Sequence, residues 1–355
     1  MPVSEFTERM AAQGARLEEY RGAQSAAVYA DARSEFEALR GGCGVYHLGW
    51  RSKIMLTGSD RVRWLNGMVT NNVRDLAAGH GVYAFLLNPQ GHIQADLYAY
   101  NRGDDVLVDT DQDQVERLLG IFDHYIIMDD VEVTRVSEKL TAIGLAGPKS
   151  RDVLHAAGFE IADLAPLELR DVNRQGAGIT MVRGDNPGVH SYELWLAPAN
   201  LNLTWKTLTQ AGATPAGTEA VEWLRIACGI PRFGRDIRER DLPQETEQAR
   251  ALHFSKGCYV GQEIVERIHS RGSVHRTFTG FTIEGELPAA GTKIQADGKD
   301  VGEITSSASL PAGTRDFPAA LGYIRREAAV LGKQVTIGST KGIVHPLPFR
   351  EVFEG

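Results

Sequence analysis

The residue best placed to do chemistry in this 355-residue chain is a cysteine with a lysine two positions before it. One glycine directly precedes this cysteine, and another follows three residues after it. The cysteine stands in the string Lys256-Gly257-Cys258-Tyr259-Val260-Gly261-Gln262-Glu263. Apolar residues at helical spacing follow, so Cys258 is expected just before the N-terminus of a helix. A nearby cation and the positive end of a helix both favour a thiolate over a thiol. The pattern alone leaves two alternatives open, a reactive cysteine and a small buried thiol.

The residues around Cys258 add two local expectations. Glu263 and Arg267 are four residues apart on the predicted helix, in the order that supports a helical ion pair. Gly257 and Gly261 leave the backbone free to turn and let a ligand or a partner approach closely.

A second group of polar residues alternates with apolar ones along a predicted strand, residues 92–100. Alternation places the polar members on one face of the strand: His92, Gln94, Asp96, Tyr98 and Tyr100. Tyrosine rings offer a stacking surface, and a carboxylate accepts hydrogen bonds from ring NH and amino groups. This face suits a flat heteroaromatic ligand, and a solvated strand face is the alternative.

Two further candidate residues, Asn88 and Arg225, can each be explained by a structural role as well as by a functional one. Asn88 precedes a proline in a predicted turn between strands, where asparagine commonly forms turns. Arg225 lies on the predicted helix 218–228, beside an apolar stripe on which Cys228 is expected to be buried. A surface ion pair of little consequence is the ordinary role for such an arginine.

The string KGCYVGQE with the following Arg267 resembles the signature of the YgfZ-type folate-binding proteins, which assist iron–sulfur cluster maturation. Residues 79–83, 87–91 and 96–97 resemble the folate-binding part of the glycine cleavage T-protein, an aminomethyltransferase. The two families share one architecture, and the resemblance covers roughly residues 35–345.

The resemblance implies roles for individual residues. Asp96 would lie against bound tetrahydrofolate and assist one-carbon transfer, and Arg225 would approach the folate, where a guanidinium suits a carboxylate. The other residues expected at the folate are Tyr83, Asn88, Tyr100 and Glu193. The signature loop would comprise Lys256, Gly257, Cys258, Gly261, Gln262, Glu263 and Arg267.

The chain also departs from the transferase pattern. Val189 stands where T-proteins carry the first of two glutamates, and the T-proteins lack the KGCYVGQE string. These departures argue against methylene transfer from a carrier-bound lipoyl arm, but they leave folate binding in place.

The leading hypothesis is a tetrahydrofolate-binding accessory protein in iron–sulfur cluster assembly or repair. Cys258 would act either as a nucleophile or as a transient cluster ligand shared with a partner. The alternative is a folate-dependent aminomethyltransferase, or another C1 transferase or demethylase, with Asp96 orienting the substrate amine. A third hypothesis is a folate-binding scaffold in which the signature is a docking loop. Expected partners are folate and iron–sulfur assembly or client proteins, with a monomer as the expected state.

The expected fold class is α+β, a T-protein-like folate-binding fold with a small C-terminal β-barrel. Three domains are predicted: a discontinuous α/β folate-binding domain of residues 1–48 and 138–272, an inserted ferredoxin-like α+β domain of residues 49–137, and the barrel of residues 273–355. Short strands punctuated by glycine after Val274 predict the barrel. Residues 3–40 are expected to be mostly helical, and residues 1–270 to form two interlocked units around a central hole.

Charge and cysteine usage exclude some classes. A net charge of −8 argues against a general nucleic-acid binder. No apolar run approaches the ~20 residues of a transmembrane helix, so no membrane partner is expected. Cys43, Cys228 and Cys258 form no CxxC pair, so no stable metal site is expected from this chain alone. The odd number of cysteines fits a reducing compartment and predicts a cytoplasmic protein.

Overall fold

The computed structural model describes residues 4–160, 163–174, 177–272 and 274–354. Residue 273, where the barrel domain is predicted to begin, lies outside the described residues. Helices and strands are mixed along the chain. The α-helices are α1 (Glu5–Ala12), α2 (Ala32–Gly41), α3 (Arg61–Met68), α4 (Val115–Tyr125), α5 (Ser150–Ala156), α6 (Leu201–Gln210), α7 (Thr218–Ala227) and α8 (Gln262–Arg271).

The N-terminal region is not mostly helical, which corrects the expectation for residues 3–40. Between α1 and α2 lies an antiparallel hairpin of β1 (Arg16–Tyr20) and β2 (Ala23–Val28). Its turn places Arg21 and Gly22 at φ values of 50° and 81°, as a tight turn with right-handed strand twist requires. Tyr20 is buried with its ring 5.0 Å from that of Trp50. Tertiary burial therefore outweighs the helix propensity of the local Glu and Ala residues.

The largest open sheet has six strands in the order β10-β11-β12-β9-β3-β13. All neighbours are antiparallel except β13 and β3. Helices α5 and α6 contribute to the core of this sheet through Leu154 and Leu208, both fully buried. In chain order the strands are β3 (Gly44–His47), β9 (Thr141–Ala146), β10 (Leu169–Arg174), β11 (Ala177–Arg183), β12 (Ser191–Leu196) and β13 (Thr214–Pro215).

A second open sheet carries three of the predicted folate residues, Tyr83 on β5 and Asp96 and Tyr100 on β6. Its order is β5-β6-β7-β4-β8. Strand β6 keeps the predicted alternation, with Ile93, Ala95 and Leu97 buried and the residues between them half-buried. The strands are β4 (Arg51–Thr57), β5 (His80–Leu87), β6 (Ile93–Asn101), β7 (Val106–Asp111) and β8 (Glu132–Arg135).

The C-terminal region forms a closed barrel in the order β14-β17-β16-β15-β18-β19, which confirms the predicted barrel. Its interior is filled by aliphatic and aromatic side chains such as Phe281, Ile294 and Ile324, each fully buried. The strands are β14 (Arg276–Glu284), β15 (Lys293–Ala296), β16 (Lys299–Ala312), β17 (Arg315–Arg325), β18 (Gln334–Ile337) and β19 (Thr340–His345).

The chain clusters into two compact units. The first unit comprises Met1–Gly67, Asn71–Ala84 and Leu97–Val221, and the second comprises Met68–Thr70, Phe85–Asp96 and Glu222–Gly355. The tip of the β5–β6 hairpin thus belongs to the second unit, together with the barrel. The three-domain division and the central hole stay predictions.

Candidate functional site

Cys258 is the exposed cysteine, whereas Cys43 and Cys228 are buried. It lies in an irregular segment between a short 3-10 helix, Ala249–Ala251, and helix α8. Helix α8 begins four residues after Cys258, as its apolar spacing predicts. Burial raises the pKa of the Cys43 thiol to about 11. Cys258 is therefore the thiol that a reagent or partner can reach.

Lys256 does not stand beside the thiol as a solvent-exposed cation. Its side chain is buried, and its ammonium donates a hydrogen bond of 2.5 Å to the backbone carbonyl of Val69. The same nitrogen lies 4.8 Å from the ring centroid of Tyr259. Burial and the nearby Glu266 carboxylate raise the pKa of the Tyr259 phenol. Lys256 therefore anchors the signature loop inside the second unit, a role that its sequence neighbours do not indicate.

Two glycines let the loop pack closely against the turn between β5 and β6. Gly261 has a φ of 81°, and a Cβ there would lie 2.6 Å from the carbonyl oxygen of Asn88. A Cβ on Gly91 would lie 2.8 Å from the Cβ of Ile264 in α8. Both distances are shorter than any real Cβ contact. The close approach predicted at Gly261 is therefore made by another segment of the same chain, the turn at Asn88, and not by a ligand or partner.

The side chain of Asn88 supports the same turn. Its amide oxygen accepts hydrogen bonds from the backbone N–H groups of Gln90 and His92, each at 3.0 Å. Turn formation, the structural interpretation of Asn88, accounts for this oxygen.

The remaining loop residues differ in exposure. Gly257 and Gln262 are half-buried, while Glu263 and Arg267 are exposed. Within the part of the chain that the structure describes, Glu263 and Arg267 form no ion pair with each other. The expected helical ion pair is absent from α8.

In the first unit, Tyr83 and Tyr100 are buried and joined by Tyr98, which lies on the predicted polar face of β6 but was not among the residues expected at the folate. The ring of Tyr98 lies 5.0 Å from that of Tyr83 and 6.3 Å from that of Tyr100, nearly parallel to the latter. Its hydroxyl donates to the carboxylate of Asp185 at 3.3 Å.

Glu193 lies in the same cluster. The indole Nε1 of Trp195 donates to its carboxylate at 2.7 Å, and the Trp195 ring packs edge-on at 4.9 Å against that of Tyr100. Burial raises the pKa of Glu193, against the opposing influence of Lys53 and, more weakly, Arg51. The structure thus brings together three of the residues predicted at the folate: Tyr83, Tyr100 and Glu193.

Buried ions that sequence analysis missed lie beside this cluster. The ammonium of Lys53, 1% exposed, is 2.7 Å from the carboxylate of Asp109 and 3.9 Å from that of Glu193. It also lies 4.7 Å from the ring centroid of Trp195. Arg51 bonds Asp109 and Asp111 at 3.1 and 2.7 Å, and its guanidinium lies over the Tyr98 ring. A lysine and an arginine within a strand rich in apolar residues were the available signal.

Arg225 and Asp96 both belong to the second unit. Arg225 is 5% exposed, and its guanidinium bonds Asp236 at 2.6 Å and Glu222 at 2.7 Å. It also donates to the carbonyl of Ile230 and the hydroxyl of Ser306. These contacts favour a structural role for Arg225 over the predicted approach to folate. Asp96 is half-buried on the polar face of β6, as its strand position predicts.

The described residues offer neither a cluster of metal ligands nor a membrane-spanning helix. They contain no group of three or more His, Cys, Asp or Glu side chains placed to hold a metal ion. No helix in the described ranges has the length and apolar character needed to cross a membrane.

Comparison with known proteins places this fold in a family. The profile of the GCVT N-terminal domain matches residues 6–256, more than half of the chain. The chain therefore belongs to this T-protein-like family. The match ends at Lys256, so Cys258 and helix α8 lie beyond it.

Similar sequences cover most of the chain. An aminomethyltransferase of Rubrobacter xylanophilus is 29% identical, with the match covering 84% of this chain and 81% of that protein. An aminomethyltransferase of Halothermothrix orenii is 28% identical, over 95% of this chain and 96% of its own. A putative chloroplastic transferase of Arabidopsis thaliana is 27% identical, over 88% and 72%.

A solved structure confirms the fold class. The glycine cleavage system aminomethyltransferase T of Bartonella henselae matches with a TM-score of 0.88, covering 99% of this chain and 98% of its own. At 20% identity this likeness concerns the fold. The predicted T-protein-like α+β fold with a C-terminal barrel is thereby confirmed.

Proposed function

We propose that this protein binds tetrahydrofolate and assists iron–sulfur cluster assembly or repair through Cys258, as the YgfZ-type signature implies. The observation that carries the proposal is the exposed Cys258 on a loop fixed by the buried Lys256 and by Gly261. A thiol held on an anchored loop reaches a partner without ordering a flexible segment first, which lowers the entropic cost of the encounter.

Folate binding is supported by the T-protein-like fold and by the aromatic cluster of the first unit. Tyr83, Tyr98 and Tyr100 supply ring surface, and Glu193 supplies a carboxylate. A pterin ring has NH and amino groups, and a carboxylate can accept hydrogen bonds from them. By the resemblance, Asp96 stays a proposed folate residue and Asn88 a bordering turn residue, whereas the contacts of Arg225 favour a structural role for it.

Two chemistries for Cys258 are retained. In both, the thiol loses its proton to solvent and the sulfur then supplies an electron pair. As a transient ligand, the sulfur would donate that pair to a cluster iron as another thiolate leaves. As a nucleophile, it would attack an electrophilic centre on the partner and displace a leaving group.

Folate binding is tested by calorimetry with tetrahydrofolate. Asp96→Asn keeps the shape of the side chain and removes its charge, so we expect binding weakened by about 1.5–3 kcal/mol, the typical worth of a hydrogen bond to a charged group. Asp104→Asn, at an exposed loop position, is the matched control. The absence of binding to the wild-type protein at millimolar ligand would refute the folate part of the proposal.

The role of Cys258 is tested in a strain that lacks the gene, assayed for iron–sulfur enzyme activities. Wild type and Cys228→Ala should restore the activities, and Cys258→Ser should not. Cys228 is the control because its buried thiol fits the alternative of a small core residue. Full restoration by Cys258→Ser would favour the docking-loop hypothesis.

The second candidate function is a folate-dependent aminomethyltransferase. The names of the relatives and the presence of Asp96 favour it. Incubation of the purified protein with tetrahydrofolate and an aminomethylated glycine-cleavage carrier decides the matter. Release of ammonia with formation of methylenetetrahydrofolate would establish the transferase, and no turnover would support the accessory role.

A further inference from the structure

We propose that a cavity on the C-terminal barrel binds a multiply charged oxyanion, carried either by phosphate groups or by a chain of carboxylates. The cavity has a volume of about 480 Å³, within the range of small-molecule sites. Its lining residues fall between positions 240 and 325, all in the second unit. The inference does not depend on the folate or iron–sulfur proposals.

The cavity has a surplus of positive charge. Lys293 and Arg240 line it, and both pair with the single carboxylate of Glu303, at 3.2 and 2.7 Å. Arg238 bonds the same carboxylate at 2.7 Å. Burial opposes ionisation of Glu303, but Arg238 and Lys293 outweigh it and lower its pKa. Arg238 also lies 3.6 Å from Asp241, outside the cavity lining. In the lining itself four cations, Arg240, Arg276, Lys293 and Arg325, stand against two carboxylates, Asp300 and Glu303, so positive potential remains at the cavity.

Further cations and one more acid line the cavity. Arg325 is 61% exposed, with Glu327 at 3.9 Å as its ion-pair partner. Asp300 accepts a hydrogen bond from Gln295 at 2.8 Å. Arg276 is itself balanced, because buried Asp241 and Glu245 hold its guanidinium at 2.7 and 2.9 Å. The charge available to a ligand therefore comes mainly from Arg240, Lys293 and Arg325.

A buried hydroxyl in the lining lacks a hydrogen-bond partner. Tyr323 is 1% exposed, and the guanidinium groups of Arg276 and Arg238 lie 4.9 and 5.8 Å from its ring centroid. Within the described residues, its hydroxyl makes no hydrogen bond. Buried hydroxyls are nearly always satisfied, and an unsatisfied one destabilises the fold. A ligand oxygen in the cavity would accept this hydrogen bond.

These features favour an anion with several charged oxygens over a single small ion. Three cations on β15, β17 and the segment before the barrel surround one cavity, so each can meet a different oxygen. Arginine and lysine suit phosphate and carboxylate equally in charge, and arginine also bonds either in bidentate fashion. The chemistry is shared by a phosphate ester and a polycarboxylate.

The test is calorimetric titration of the full chain with inorganic pyrophosphate and, separately, with a triglutamate peptide. We expect at least one probe to bind, more weakly as salt is added. The double variant Lys293→Ala/Arg325→Ala should weaken binding at least about tenfold. The control double variant Arg315→Ala/Lys341→Ala removes the same charge from exposed barrel positions outside the cavity and should bind as wild type does.

A second variant tests the hydroxyl. Tyr323→Phe keeps the buried ring, so its melting temperature should equal or exceed that of wild type, while binding weakens about tenfold. The stronger of the two probes identifies whether the natural ligand carries phosphate or carboxylate. Failure of both probes to bind at millimolar concentration, or equal weakening in the two double variants, would overturn the proposal.

Discussion

At the residue scale, side chains with similar sequence surroundings differ in their exposure to solvent. Cys43 and Cys258 both follow a glycine, yet Cys43 is 4% exposed and Cys258 is open to solvent. Lys256, two residues before Cys258, is turned inward to the Val69 carbonyl. Chemical identity and spacing alone therefore do not establish which groups can react.

Cys258 should be the cysteine that iodoacetamide modifies in the native protein at about pH 8. Burial raises the pKa of Cys43 to about 11, which leaves its thiolate scarce, and Cys228 is 2% exposed. Peptide mass spectrometry after timed labelling measures the three sites separately, with urea-unfolded protein as the control for intrinsic reactivity. Labelling of Cys43 at the rate of Cys258 would contradict the prediction.

Glu193→Gln should become more stable relative to wild type as pH rises from about 4 to 7. Burial raises the pKa of Glu193 in the folded chain, so its protonated form is favoured there. Protonated Glu193 therefore stabilises the folded wild-type protein. This contribution to the free energy of unfolding is fully present below the ordinary carboxyl pKa of the unfolded chain, and it is lost as pH rises through the raised pKa of the folded chain. A glutamine does not ionise, so the Glu193→Gln variant does not lose stability in this way. Its amide oxygen can still accept the hydrogen bond from the indole of Trp195.

Urea unfolding of both proteins across this pH range measures the effect of Glu193→Gln. Glu138→Gln, at an exposed position, provides the control and should follow wild type at each pH. A constant difference between Glu193→Gln and wild type would show that Glu193 ionises as readily in the folded chain as in the unfolded one.

At the element scale, helix α8 and the signature loop pack closely against the β5–β6 turn. Gly261 and Gly91 remove the Cβ atoms that would separate the segments. Gln244 adds a hydrogen bond of 2.8 Å from its side-chain amide to the carbonyl of Val265 in α8. The position of Cys258 is thus fixed by the packing of its neighbours.

Gly261→Ala should destabilise the protein more than Gly272→Ala does. Both glycines have left-handed φ values, 81° and 74°, so each alanine costs about 1–2 kcal/mol. Only Gly261 has backbone where the new methyl would lie, which adds about 1–3 kcal/mol of overpacking, whereas the space around Gly272 is open. Chemical denaturation measures the difference.

Hydrogen exchange of residues 256–262 checks the local effect of the same pair of variants. Exchange should quicken in Gly261→Ala, because the loop must leave the Asn88 carbonyl, and stay unchanged in Gly272→Ala. Equal stabilities and equal exchange in the two variants would show that the loop is not held by this contact.

At the scale of the whole molecule, buried charge networks tie distant segments together within each compact unit. In the second unit, Asp236 is fully buried, with its carboxylate shared by Arg225 of α7 and the hydroxyls of Thr305 and Ser306 in β16. In the first unit, the carboxylate of Asp109 in β7 forms ion pairs with Arg51 and Lys53 of β4. Such networks are costly to break because a buried charge is left behind.

Arg225→Lys should lower the free energy of unfolding by about 1.5–3 kcal/mol, the typical worth of a hydrogen bond to a charged group, and leave folate affinity unchanged. A lysine lacks the planar fork that bonds Asp236, Glu222 and Ser306 together. Arg315→Lys, at an exposed barrel position, should change neither quantity. Weaker tetrahydrofolate binding by folded Arg225→Lys, with normal stability, would restore the ligand role.

The sequence by itself determined the features that local patterns encode. Two-residue alternation predicted β6 with its polar face, glycine-punctuated strands predicted the barrel, and helical spacing predicted α8. Each follows from a period or a turn residue, which acts over a few neighbours.

Only the tertiary structure decided which side chains those elements bring together. The Lys256 ammonium meets a carbonyl 187 residues away, and Arg225 meets a hydroxyl 81 residues away. The hairpin of residues 16–28 forms where composition favours a helix, because Tyr20 is buried against Trp50. A local pattern fixes which face of an element is apolar, but the identity of the segment that covers this face depends on long-range packing, which no local window contains.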